Sequence, residues 1–190
     1  MGTSPPRLVH VVLQTRDLPA AVEWYCTLLH GHVVYQNQGL AFVTHDDEHH
    51  RIAFVQLPAG AEAKSPAAPG LNHIAFTFDT LDELLDRYTE LAANGIHPPV
   101  PVQHGMTTSL YYRDPDGNKV EFQIDNFATP DEATAYMGGG EFSADPVGPS
   151  FDVDRMVAAR QDGTPVSELI TRAWALSGPA QPDPLPILMS

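Results

Sequence analysis

The sequence predicts an α+β fold: two paired βαβββ modules that form one open-barrel cleft, followed by a C-terminal extension of helices and extended chain. Three observations predict it. Residues 8–57 and 71–125 pass through the same order, a strand-like run, a helical run and further strand-like runs. Laying one half on the other puts His10 over His73 and Gly31 over Gly95, with Gln56 roughly opposite Glu121. Between the halves, residues 58–70 are rich in Pro, Ala and Gly, which suits a linker. The expected organisation is module one at 7–57, linker at 58–70, module two at 71–126 and extension at 127–190.

Taken in order, Leu8-Val9-His10-Val11-Val12 is the first strand-like run. The helix after it has Asp17 as N-cap, Pro19 in its first turn and Gly31 just past its end, with Val22, Tyr25, Leu28 and Leu29 on its apolar face. His32 to Tyr35, Leu40 to Thr44 and Arg51 to Leu57 read as strands. Module two opens on Leu71-Asn72-His73-Ile74-Ala75-Phe76. Its helix starts near Asp79 or Thr80 and stops at Asn94-Gly95, with Leu81, Leu84, Leu85, Tyr88 and Leu91 inward. Val100 to Gln103, Ser109 to Arg113 and Lys119 to Ile124 follow, the last two joined by a hairpin turn over Asp114-Pro115-Asp116-Gly117-Asn118. In the extension, two short helices are expected, from about Asp152 to Arg160 and from Thr164 to Leu176, the second with Pro165 at its first position. Phe151, Val153, Met156, Leu169, Ile170 and Trp174 could bury a face, while Gln181 to Ser190 reads as extended.

At 190 residues with a net charge of -14, the chain argues against nucleic acid or an anionic membrane surface as partner. Cys26 is the only cysteine, so neither an intrachain disulfide nor a cysteine-based zinc site is available. No apolar run is long enough to span a bilayer, and the first residues lack the apolar stretch of a signal peptide. A cytoplasmic protein is the expectation.

His10, His73 and Glu121 each fall in an apolar strand pattern. A buried strand has little reason to carry an unpaired imidazole or carboxylate, because desolvating either is expensive. Something is expected to pair with all three. Two imidazoles and one carboxylate form the facial set typical of non-haem Fe(II) enzymes that use oxygen, with the remaining positions open.

The two modules, the His10/His73/Glu121 positions and the Asp114 to Asn118 hairpin together resemble the vicinal oxygen chelate superfamily, which includes glyoxalase I, fosfomycin-resistance proteins and type I extradiol dioxygenases. His49-His50-Arg51-Ile52-Ala53-Phe54 and the Tyr111 that precedes Glu121 are similar to the extradiol dioxygenases among them, as is the extension from Phe151 to Leu169. That resemblance implies His10, His73 and Glu121 as Fe(II) ligands and cleavage of a catechol by O2 beside its diol. It implies His50 as acid-base residue, Tyr111 as a hydrogen-bonding partner of a substrate oxygen, and His104 as a further histidine near the substrate. It also implies a homo-oligomer, and modules exchanged between chains in some relatives. His45 reads as exposed, His49 as structural, His30, His32 and His97 as caps or surface, and Trp24 and Trp174 as packing.

Other readings are weighed on single residues. A glyoxalase-like isomerase would need a fourth, basic ligand where Gln56 stands. A Mn(II)-dependent thiol transferase would need a cationic pocket, for which Arg51 and Arg113 are the chief candidates. Non-enzymatic sequestration of a small molecule usually goes with loss of the metal residues, which this chain retains.

Overall fold

Two four-stranded mixed sheets form the core of the computed structural model, which describes residues 4–65 and 68–190. Met1-Gly2-Thr3 of the opening segment, and Pro66 and Ala67 of the expected linker, lie outside the described residues. The chain divides into two compact units, one of residues 4–65 with Asp114–Gly117 and one of residues 68–113 with Asn118–Ser190.

Unit one runs β1 (Val11–Thr15), α1 (Leu18–Leu29), β2 (His32–Gln36), β3 (Leu40–Thr44) and β4 (Ile52–Gln56), with sheet order β1-β4-β3-β2. β1 and β4 pair in parallel, from Val11 opposite Ile52 to Thr15 opposite Gln56, and the other pairings are antiparallel. Asp17 caps α1 by accepting from the Ala20 amide, and Pro19 sits in the first turn. The left-handed residue that ends the helix is His30, at φ 50°, rather than a glycine. Gly31 serves a different need, because a Cβ there would stand 2.8 Å from the Thr44 carbonyl. Leu18, Tyr25 and Leu28 bury against Ala41, Val43, Ile52 and Phe54. The turn contributes here too: the Tyr25 hydroxyl donates to Asp114, and Arg16 pairs with Asp116 at 3.0 Å.

Unit two repeats the order with β5 (His73–Thr77), α2 (Leu81–Ala93), β6 (Val100–Gln103), β7 (Thr107–Arg113) and β8 (Lys119–Asp125), sheet order β5-β8-β7-β6. β5 and β8 are parallel. Thr80 and Glu83 form a reciprocal capping box at the start of α2. Leu81, Leu84 and Leu91 bury with Leu110, Tyr112, Val120 and Phe122. Alternation along the strands sends Tyr111 and Glu121 to the opposite face. There Val147, Ile187 and Leu188 from the extension pack on Val100, Val102 and Tyr111.

Several sequence expectations are corrected. β1 begins at Val11, so His10 lies before the strand and is exposed, and β5 is not a buried strand at His73; only Glu121 is buried as expected. His45 is half-buried rather than exposed. The extension holds six helical segments rather than two. These are α3 (Pro130–Met137), α4 (Gly140–Ala144), α5 (Val153–Gln161), α6 (Val166–Leu169), α7 (Arg172–Leu176) and α8 (Pro184–Met189). The expected Thr164 to Leu176 helix breaks because Thr171 is extended and caps α7 through the Trp174 amide. Pro165 is the residue before α6, not its first helical residue. The segment read as extended contains α8, started by Asp183 and Pro184. Phe151, Val153, Met156, Leu169 and Trp174 are buried as expected, with Arg155 over the Trp174 ring. Among the described residues, no helix is long and apolar enough to cross a membrane.

Candidate active site

Unit two gathers four of the six residues singled out in the sequence. The β7–β8 ladder sets Tyr111 opposite Glu121, and the β5–β8 ladder sets Ala75 opposite Glu121, with His73 two residues earlier on the same face. Glu121 is 4 % exposed, and its Oε2 lies 3.1 Å from Nε2 of His73. Burial works against the charge on Glu121, but hydrogen bonds from His73 and Ser109 outweigh it and hold the carboxyl below the ordinary carboxylate range. The carboxylate is therefore ionised in spite of its burial. Nδ1 of His73 lies 2.9 Å from Oδ1 of Asn72, and the Tyr111 ring stands edge-on to the imidazole.

His104 completes this group. Its Nδ1 is 2.6 Å from the Val147 carbonyl and its Nε2 is 2.9 Å from the Tyr111 hydroxyl. A carbonyl only accepts, so Nδ1 carries the proton and the neutral ring accepts the Tyr111 hydroxyl at Nε2. Burial lowers the His104 pKa, which favours that neutral ring. Arg172 Nη2 donates to the His104 carbonyl at 2.6 Å, fixing the backbone beneath the imidazole. Burial, with the neighbouring Glu121 charge, raises the Tyr111 pKa strongly, so the phenol keeps its proton at neutral pH.

Unit one places His10 and His50 together. Their ring centroids are 4.4 Å apart, and His50 also stacks on Phe42 at 4.6 Å. His10 is held between two backbone contacts to Arg51: Arg51 Nη1 donates to the Val9 carbonyl, and the Val11 amide donates to the Arg51 carbonyl. Burial, then the proximity of His10 and His49, lowers the His50 pKa. His50 is thus a neutral proton acceptor at neutral pH.

An imidazole nitrogen facing an ionised, buried carboxylate oxygen is a donor set that suits a borderline divalent cation such as Fe(II) or Mn(II). His73 and Glu121 fit such an ion. Within each unit, and among the described residues, no group of three or more His, Cys, Asp or Glu side chains is gathered as a metal site.

The rival positions are occupied. Gln56 Oε1 accepts from the Leu18 amide, while its Nε2 donates to the Arg16 and Leu57 carbonyls. Arg51 is paired with Asp46. Arg113 donates to Ile187 and Ser190. Asn72, Ser109, Val147 and Arg172 went unread in the sequence. Asn72 had a signal, being next to a candidate ligand; Val147 and Arg172 act from the extension and had none.

The family model of the Glyoxalase/Bleomycin resistance protein/Dioxygenase superfamily matches residues 7–122. The chain is 55 % identical over 189 residues to biphenyl-2,3-diol 1,2-dioxygenase 2 of Rhodococcus globerulus, covering 99 % of this chain and 100 % of that protein. It is 57 % identical over 175 residues to biphenyl-2,3-diol 1,2-dioxygenase 3 of the same organism, covering 92 % of each. Among solved structures, a glyoxylase/bleomycin resistance protein/dioxygenase domain from Frankia sp. EAN1pec superposes with a TM-score of 0.59 at 21 % identity. That match covers 66 % of this chain and 96 % of that one, and it bears on the fold.

Proposed function

The chain belongs to the Glyoxalase/Bleomycin resistance protein/Dioxygenase superfamily, and on that premise we propose that it is an Fe(II)-dependent extradiol dioxygenase. Its substrate would be a catechol of the biphenyl-2,3-diol type, whose ring it opens with O2. The observation that carries this reading is the likeness, over nearly the whole chain, to two proteins named biphenyl-2,3-diol 1,2-dioxygenase.

His10, His73 and Glu121 would hold the iron, which supplies a site where catechol and O2 meet and electrons pass from one to the other. The remaining residues have roles that follow from their surroundings. His50 is a neutral imidazole with a lowered pKa, able to take a proton from the catechol and return it later. Tyr111 keeps its proton and stands beside Glu121, so it can donate to a substrate oxygen or pass its hydrogen bond to His104. His104, tied at Nδ1 to Val147, presents Nε2 as the acceptor that sets the orientation of that phenol.

Two features weigh against the rival chemistries. Gln56 has its amide bonded to backbone on both sides, leaving no basic fourth ligand for an isomerase. Arg51 and Arg113 are engaged within the protein, which leaves a phosphonate without its chief cations.

The test is oxygen uptake by anaerobically Fe(II)-loaded protein given a panel of catechols, with absorbance followed in parallel. Iron-dependent uptake with a yellow ring-opened product is expected. Iron-loaded protein that consumes no oxygen with any catechol overturns the proposal.

A further inference from the structure

Both ends of the Asn72 side-chain amide are engaged. Its Nδ2 donates to the Leu188 carbonyl at 3.3 Å, and its Oδ1 lies 2.9 Å from Nδ1 of His73. A carbonyl oxygen only accepts, so the Leu188 contact fixes which end of the amide carries nitrogen. The end left facing His73 is oxygen and also only accepts, so Nδ1 of His73 must carry a proton. That leaves Nε2, the atom 3.1 Å from Glu121, as the nitrogen a metal ion would take.

The Leu188 carbonyl is itself held. Lys119 Nζ donates to it, and to Ser190 at 3.1 Å. Arg113 Nη2 donates to the Ile187 carbonyl at 2.9 Å. These cations bind the carbonyls that end α8, which have no partner within the helix. The side chains of Ile187 and Leu188 pack on the patch that includes Tyr111. His73 thus donates to Asn72, and Asn72 and Lys119 both donate to the Leu188 carbonyl of α8.

We propose that Asn72 is a positioning residue for His73 as a metal ligand, and that α8 sets the tautomer of that ligand through the Leu188 carbonyl. The proposal rests on the reading of His73 as a metal ligand. A ligand imidazole whose second N–H is given to a fixed acceptor is oriented and made more basic, and losing that acceptor typically costs about 10–100-fold in metal affinity or activity.

Two variants and two readouts test it in the full-length protein. Asn72→Leu removes both hydrogen bonds; Asn72→Asp keeps an acceptor for His73 but has no donor for Leu188. Nitrogen-15 shifts of His73 in the metal-free protein report which ring nitrogen carries a proton, and Fe(II) competition against a chelator reports affinity. Expected is a proton on Nδ1 in the wild type and in Asn72→Asp. Asn72→Leu is expected to shift it toward Nε2 and to weaken Fe(II) binding by about 10–100-fold, with Asp recovering most of the affinity. An unprotonated Nδ1 in the wild type, or Asn72→Leu with tautomer and iron affinity unchanged, overturns the proposal. A wild type that binds no Fe(II) overturns the ligand reading instead, while the nitrogen shifts still decide whether Asn72 sets the His73 tautomer.

Discussion

Tyr111 and Glu121 stand directly opposite one another in the β7–β8 ladder, so a protonated phenol and an ionised, buried carboxylate share one face of the sheet. Directly opposed residues are the closest cross-strand neighbours a sheet offers. The pairing of the two strands therefore fixes the phenol beside the carboxylate.

Removing the hydroxyl with Tyr111→Phe keeps the ring that packs on Val100 and Val102 and deletes the hydroxyl's hydrogen bonds to His104 and Glu121. The expected result is a fall of roughly 10²-fold or more in kcat, the range of a positioned proton donor, with Fe(II) affinity little changed. Steady-state kinetics beside chelator competition checks this; an unchanged kcat removes Tyr111 from the proposed chemistry.

Glu121→Gln leaves the shape of the buried site but takes away its charge. Iron content after loading and desalting is expected to drop to background, because the remaining donors are neutral. Full iron occupancy in the variant would show that this carboxylate is not a ligand.

His50→Ala separates binding from turnover. His50 contacts the rings of His10 and Phe42, and its lowered pKa keeps it a base near neutrality. Catechol turnover is expected to fall by about 10²–10⁴-fold while iron is retained. Single-turnover rates with a metal assay decide it, and wild-type turnover would exclude the acid-base role.

Much of this arrangement was legible in the sequence, and the reasons are physical. α2 announced itself through Thr80 with Glu83 three residues later and an apolar stripe from Leu81 to Leu91. α1 did so through Asp17 and Pro19. Glu121 stood out because a carboxylate in an apolar strand needs a partner, and His73 is that partner within unit two. His10 was placed in a strand that starts one residue later, because an apolar run does not mark where pairing begins. The extension was read least well. Thr129-Pro130 with Glu132 is a capping box that signals α3, but the run Gly138-Gly139-Gly140 just past it is the composition of a loop. Helices as short as α6, α7 and α8 depend on packing rather than on periodicity, so their sequences carry little signal. Val147 and Arg172 act on His104 across long stretches of chain, which no local pattern records.

Asp116 gives unit one an acid limb. Burial works to raise its pKa, but hydrogen bonds from Thr15 and Arg16 outweigh it, so the folded pKa lies below the unfolded one. The stabilisation is present above the unfolded value of about 4 and is lost as pH falls through the folded value. Asp116→Asn is expected to cost up to about 1 kcal/mol at pH 7, with the gap to wild type closing on acidification. Thermal melts across the acid range check it, and a gap that widens toward low pH contradicts the sign.

The most direct measurement is the fate of oxygen-18 gas when Fe(II)-loaded protein turns over biphenyl-2,3-diol and the quenched product is weighed by mass spectrometry. Extradiol cleavage requires a ring-opened product carrying both oxygen-18 atoms. A product with one labelled atom, or iron-loaded protein that leaves the diol intact, would contradict the assignment.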